Sequence, residues 1–102
     1  MDKSLTRTIV WNKVAIQQFN AAIAYIEKDS FQNAEKVKAV LLLQIQKILA
    51  YPEMFSLDKY KQNNDGNYRA FEKFHLRISY YISPSQLRIL RIRHTKRKPL
   101  RY

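Results

Sequence analysis

Residues 68–94 read YRAFEKFHLRISYYISPSQLRILRIRH, and along this stretch the apolar positions settle into a period of two. Leu76, Ile78, Tyr80 and Ile82 alternate with more polar neighbours, the pattern of a strand that buries one face. Tyr68–Glu72 reads as a shorter strand before it, SPSQ (83–86) as a turn, and Leu87–His94 as a last strand. In that last strand Leu90 and Ile92 share a face with Arg88, while Arg91 and Arg93 share the other with Leu87 and Ile89. A two- or four-residue turn would set Arg91 and Arg93 against the buried Ile78 and Leu76. Burying two unpaired guanidinium groups costs far more than any turn preference. The alternation therefore predicts a three-residue turn, Pro84–Gln86, with Leu90 and Ile92 in the core. Arg77 then pairs with Arg93 and Ser79 with Arg91 on a positively charged open face.

Upstream of this stretch the period is that of a helix. Thr6–Trp11 (TRTIVW) is β-branched and aromatic and predicts a first strand. Asn12 is a suitable N-cap, and Ala15, Phe19, Ala22, Ile23 and Ile26 form the stripe of a helix over about residues 13–28. Ser30 can cap a second helix carrying Ala34, Val37, Leu41, Ile45 and Ile48. That helix should stop near Tyr51, because the residue before Pro52 is pushed out of helical backbone. Two helices with so short a connection make an antiparallel hairpin. Pro52 to Asn67 is a polar loop with a short extended piece around Phe55–Leu57 and the chain's one glycine in QNNDGN. The expected class is α+β, in the order β-α-α-β-β-β: an antiparallel sheet with a helical hairpin packed on one face. One domain spanning residues 1–102 suits a chain of this size with 46% apolar residues and no repeat.

Charge points to the class of partner. The chain carries a formal +11, and it is uneven. Residues 1–68 hold 9 Lys/Arg against 7 Asp/Glu, a net of +2; residues 69–102 hold 10 against the single Glu72, a net of +9. Natural surfaces usually intersperse both signs, so this asymmetry predicts a polyanionic partner, either nucleic acid or an acidic protein segment. The absence of cysteine excludes disulfides and thiolate zinc sites. The start MDKSLTRTIVW has no apolar core of a secretory signal, and the apolar run Ala39–Leu43 is soon broken by Gln44, Gln46 and Lys47. A cytoplasmic protein is expected. Paired carboxylates, a glycine-rich phosphate loop, a Ser/His/Asp set and metal-ligand spacing are all missing from the sequence, so neither cofactor nor metal is expected.

In its β-α-α-β-β-β order, its segment YRAFEKFHLRISYYI and its ending LRILRIRHTKRKPLRY, the chain resembles the RelE/ParE toxins over nearly its whole length. These are toxins of type II toxin–antitoxin and plasmid-stabilisation systems. The most specific part is the strand LRISY followed by a strand that ends in Arg-x-Arg-His. The resemblance implies a toxin neutralised by a cognate acidic antitoxin, acting either on the ribosome as an mRNA endonuclease or on DNA gyrase as an inhibitor without nuclease activity.

The same resemblance supplies candidate site residues. Arg77 stands where the ribosome-dependent members hold the scissile phosphate, a task suited to a planar fork of donors. His94 stands where some of them have a catalytic histidine, and Tyr102 where they have a tyrosine acting on the 2′-hydroxyl. Arg69 and Lys96 occupy basic positions of that pattern, although lysine lacks the fork of the arginine it replaces. With Arg91 and Arg93 on the open face and Arg97 in the tail, these form the expected nucleic-acid contacts. The gyrase-directed branch is favoured by the long helical hairpin, the RILRIRH strand, Lys96, and a tail that Pro99 should keep flexible. His75 is expected to be exposed, and Trp11, Phe19, Phe71 and Phe74 to be core residues rather than base-stacking ones. A non-catalytic nucleic-acid-binding module is the alternative class, although the chain lacks the Gly-aromatic signature of a base-stacking sheet.

Overall fold

The structure is a computed structural model that describes residues 7–102. It contains β1 (Thr8–Trp11), α1 (Lys13–Glu27), α2 (Phe31–Ala50), β2 (Tyr68–Lys73), β3 (Leu76–Ile82) and β4 (Gln86–His94). The expected element order is found, with the helical hairpin on one face of a four-stranded sheet. Thr6, which was expected to start the first strand, lies outside the described residues. No helix among them is long and apolar enough to cross a membrane.

The helix signals act largely as read. The Ser30 hydroxyl accepts the Asn33 amide at 3.0 Å, and α2 ends at Ala50, with Tyr51 as its C-cap just before Pro52. Asn12 is the N-cap of α1, but its side chain makes no cap hydrogen bond. Its Oδ1 instead accepts from Arg88 Nη1 at 2.9 Å. Ala15, Phe19 and Ile23 of α1 and Val37, Leu41, Ile45 and Ile48 of α2 pack on Phe71, Ile78, Tyr80, Leu87 and Ile89 of the sheet. Trp11 is half-buried against Phe19, with ring centroids 5.3 Å apart.

The sheet differs from expectation in three places. Its strand order is β1-β4-β3-β2. β1 runs parallel to β4, with Ile9 beside Leu87 and Trp11 beside Ile89, so the sheet is mixed rather than wholly antiparallel. The strand after the helical hairpin, β2, forms the far edge, and β3 and β4 step back across the sheet until β4 meets β1, running in the same direction. Second, the β3–β4 turn has two residues, Pro84 and Ser85, closed by the Ser83 amide donating to Gln86 O at 2.9 Å. Arg77 still faces Arg93 and Ser79 still faces Arg91, because a bulge between Ser79 and Tyr80 shifts the register by one. The bulge, rather than a three-residue turn, keeps both guanidinium groups out of the core. In consequence Leu87 and Ile89 are buried together with Ile92, whereas Leu90 is only half-buried.

Third, Phe74 is not a core residue. Phe74 and His75 form the two-residue turn between β2 and β3, both at positive φ (54° and 62°), and Phe74 turns out to solvent. Such turns favour Asn-Gly, and each L-residue held there costs about 1–2 kcal/mol. Phe74→Asn combined with His75→Gly should therefore raise the melting temperature by roughly 5–10 °C. A thermal melt that is unchanged or lower would show that the native side chains contribute more than their backbone strain costs.

Candidate functional site

The loop after α2 joins the two faces of the sheet. Tyr80, fully buried, donates its hydroxyl to Pro52 O at 3.2 Å, and burial pushes its pKa up to about 12 against the opposing charge of Arg69. Phe55 then stacks on Phe71, centroids 4.9 Å apart. Leu57 bridges Arg69 along the outer edge of β2, covering an edge that would otherwise be open to pairing. Beyond it the run Asn63–Asn67 turns on its own side chains: Asn64 Oδ1 accepts from the Gly66 and Tyr68 amides, and Asp65 Oδ1 from the Asn67 amide. Gly66 sits at φ +96°, where an L side chain would be strained.

This path delivers Asp58 onto the face opposite the helices. Asp58 is 2% exposed, and its carboxylate is shared by three donors: Arg77 Nη2 at 2.7 Å, the Tyr102 hydroxyl at 2.5 Å and the Tyr60 amide at 3.0 Å. Arg77 Nη1 bonds Glu72 at 2.9 Å, and its guanidinium lies over the Tyr60 ring at 4.7 Å. Burial alone would raise the Asp58 pKa, but the bonds from Tyr102, Arg77 and the Tyr60 amide outweigh it and hold the carboxyl below its usual range. Burial likewise opposes the charge on Arg77, and its two carboxylate partners more than compensate, so its pKa rises. The Tyr102 phenol is pushed well above its ordinary value by burial and by the neighbouring Asp58.

The tail, residues 95–102, lies back across this face. Arg93 Nε donates to Lys98 O at 3.1 Å and Arg91 Nη2 to Leu100 O. The Tyr102 amide donates to Tyr60 O at 3.0 Å, and Tyr102 O accepts the Gln62 amide at 2.6 Å. Arg91 covers the Tyr102 ring at 3.9 Å. The flexible tail expected from Pro99 is therefore a docked one, and the face expected to be open is closed around Ser79, which is 1% exposed.

Arg77 and Tyr102 do meet, through Asp58. His94 does not join them: it pairs with the core residue Leu76, whereas Arg77 pairs with Arg93 on the opposite face. The His94 ring accepts the Lys96 amide at Nδ1 and stacks on the exposed His75, centroids 6.2 Å apart. Arg69 pairs with Tyr80, on the helix-covered side, and donates to Phe55 O at 2.6 Å. Arg91 and Arg93 hold tail carbonyls. Lys96, Arg97, Lys98 and Arg101 stay exposed, and the ion pairs among the described residues are those of Arg77 alone. Asp58 escaped the sequence reading because nothing near it in the loop distinguishes it from the solvated Asp65.

Comparisons with known proteins agree with this architecture. A family model described as the ParE toxin of type II toxin–antitoxin systems, parDE, matches residues 9–99. Among solved structures, a chain of the chromosomal ParDE TA system from P. aeruginosa superposes with a TM-score of 0.67. The match is 14% identical and covers 89% of this chain and 98% of that one, a likeness of fold. A comparison with curated protein sequences found no match.

Proposed function

The chain belongs to the ParE toxin family of type II toxin–antitoxin systems, and from that membership we propose that it arrests growth by inhibiting DNA gyrase rather than by cutting mRNA. The observation that carries the reading is the engagement of Arg77 by two carboxylates. A guanidinium whose Nη1 and Nη2 each already bond a carboxylate, Glu72 and Asp58, and whose Nε is buried without a partner, would have to release a carboxylate to grip a phosphate with its fork, and a phosphate there would add a third negative charge. Two further features support it. His94 stands on the other face from Arg77, so one scissile phosphate cannot meet both. Tyr102, with its raised pKa and its hydroxyl already donating a hydrogen bond to Asp58, is poorly suited to activating a 2′-hydroxyl. The free cations of the tail then serve to bind an acidic protein surface.

Neutralisation by an acidic antitoxin belongs to the same proposal. β1 is an edge strand of the sheet, and beside it Ile9, Trp11, Ala39, Leu42 and Leu43 line an apolar groove. An antitoxin segment could add its backbone to that edge and lay an apolar face in the groove. Its acidic groups would meet the basic half of the chain.

Purified protein should inhibit supercoiling by gyrase and leave mRNA on translating ribosomes intact. Substituting Lys96, Arg97, Lys98 and Arg101 together by glutamine should abolish the inhibition while changing stability by no more than about 0.5 kcal/mol per site. Co-expression with an acidic antitoxin encoded beside the gene should restore growth. Ribosome-dependent cleavage of mRNA by the purified protein would overturn the proposal.

A further inference from the structure

We infer that Asp58 and Tyr102 form a latch that holds the basic tail as a rigid arm, so that its cations meet their acidic protein partner already ordered. The second half rests on the gyrase-directed reading above; the first half does not.

Residues 95–101 are all exposed, and holding so short a segment still costs about 1–2 kcal/mol of backbone entropy per residue. Something must offset that cost, and the fixings run along the whole segment. The Arg97 amide closes a turn on His94 O, and Arg93 and Arg91 take the carbonyls of Lys98 and Leu100. Tyr102 ends the series. Its ring meets Tyr68 edge-on at 6.2 Å and lies under Arg91, its amide bonds Tyr60 O, and its hydroxyl enters the Asp58 site. Of these residues Tyr102 alone is withdrawn from full exposure. It therefore supplies the tail's main burial, and without it the carbonyl bonds to Arg91 and Arg93 would compete with water.

The carboxylate is built for this task. Arg77 and the Tyr60 amide occupy one oxygen of Asp58, and Tyr102 takes the other. A buried carboxylate oxygen needs a donor, so the tail completes a site that the loop and β3 leave unfinished. Asp58 and Tyr102 are thus positioning residues, and the contacts to the partner are made by Lys96, Arg97, Lys98 and Arg101. A loose tail of the same charge would be attracted equally at long range but would pay its ordering on binding.

Tyr102→Phe removes only the hydroxyl, and Tyr102→Ala removes the ring as well. Native-state trypsin cleavage after Lys96 and Arg97 reports release of the tail, and gyrase inhibition reports its affinity. Cleavage should accelerate at least about tenfold in Tyr102→Ala and by less in Tyr102→Phe, with the melt of the rest of the fold retained. Inhibition should weaken by about 10–100-fold. Its salt dependence should keep the wild-type slope, because the number of charges engaged is the same. Unchanged cleavage in Tyr102→Ala overturns the latch. Faster cleavage with undiminished inhibition overturns its part in binding. A wild-type protein that leaves gyrase untouched sinks the gyrase reading, and with it the latch's part in affinity, while trypsin still decides whether the latch exists.

Discussion

Asp58→Ala is expected to destabilise the protein by about 3–5 kcal/mol, the cost of breaking a buried ion pair from one side. Arg77 would keep its exposed partner Glu72 but lose the buried one. The Tyr102 hydroxyl and the Tyr60 amide would lose their acceptor in the same step. Against a total stability of about 5–15 kcal/mol for a domain of this kind, such a loss brings the variant close to unfolding. Asp58→Asn, which keeps an oxygen for two of the donors, should lose less. Chemical denaturation measures both, and a loss under about 1 kcal/mol for Asp58→Ala would mean that the site stabilises nothing.

The same carboxylate sets a pH dependence whose sign follows from the direction of its shift. Its folded pKa lies below the ordinary value of 3.8, so the unfolded chain takes up a proton before the folded one does. The stability it contributes is complete above that unfolded value and disappears as pH falls through the lower folded one. Acid should therefore unfold the wild type more steeply below pH 3.8 than it unfolds Asp58→Asn.

Ile78→Ala should cost about 2–5 kcal/mol through lost burial and the cavity it leaves. Ile78 is fully buried at the centre of β3, with Phe71 on one side and Ile92 on the other. All three lie under the helical hairpin, where packing at core density leaves little room for collapse. A loss below about 1 kcal/mol would place Ile78 somewhere other than the central core.

Several of these features can be read from neighbouring residues alone. The alternation of Leu76, Ile78, Tyr80 and Ile82 marks the buried face of β3 whatever lies beside it. Ser30 and Pro52 bound α2 because capping and the pre-proline restriction act within a few residues. The concentration of cations after residue 68 is a property of composition. These signals give the element order and the kind of partner. They also show that Arg91 and Arg93 must stay out of the core, though not the means: a bulge displacing Leu90 costs less than burying either guanidinium, and the sequence has no mark that separates it from a longer turn.

The site itself was decided by tertiary structure. Whether a basic residue is free or engaged depends on groups far along the chain: Arg77 on Asp58, 19 positions away, and Tyr102 on Asp58, 44 positions away. Arg69 looked like a surface cation until its pairing with Tyr80 turned it to the other side of the sheet. Periodicity predicts which face a residue takes because burial is summed over every turn or pleat. An ion pair is one contact between two distant points, and only the folded chain brings Asp58 to Arg77 and Tyr102.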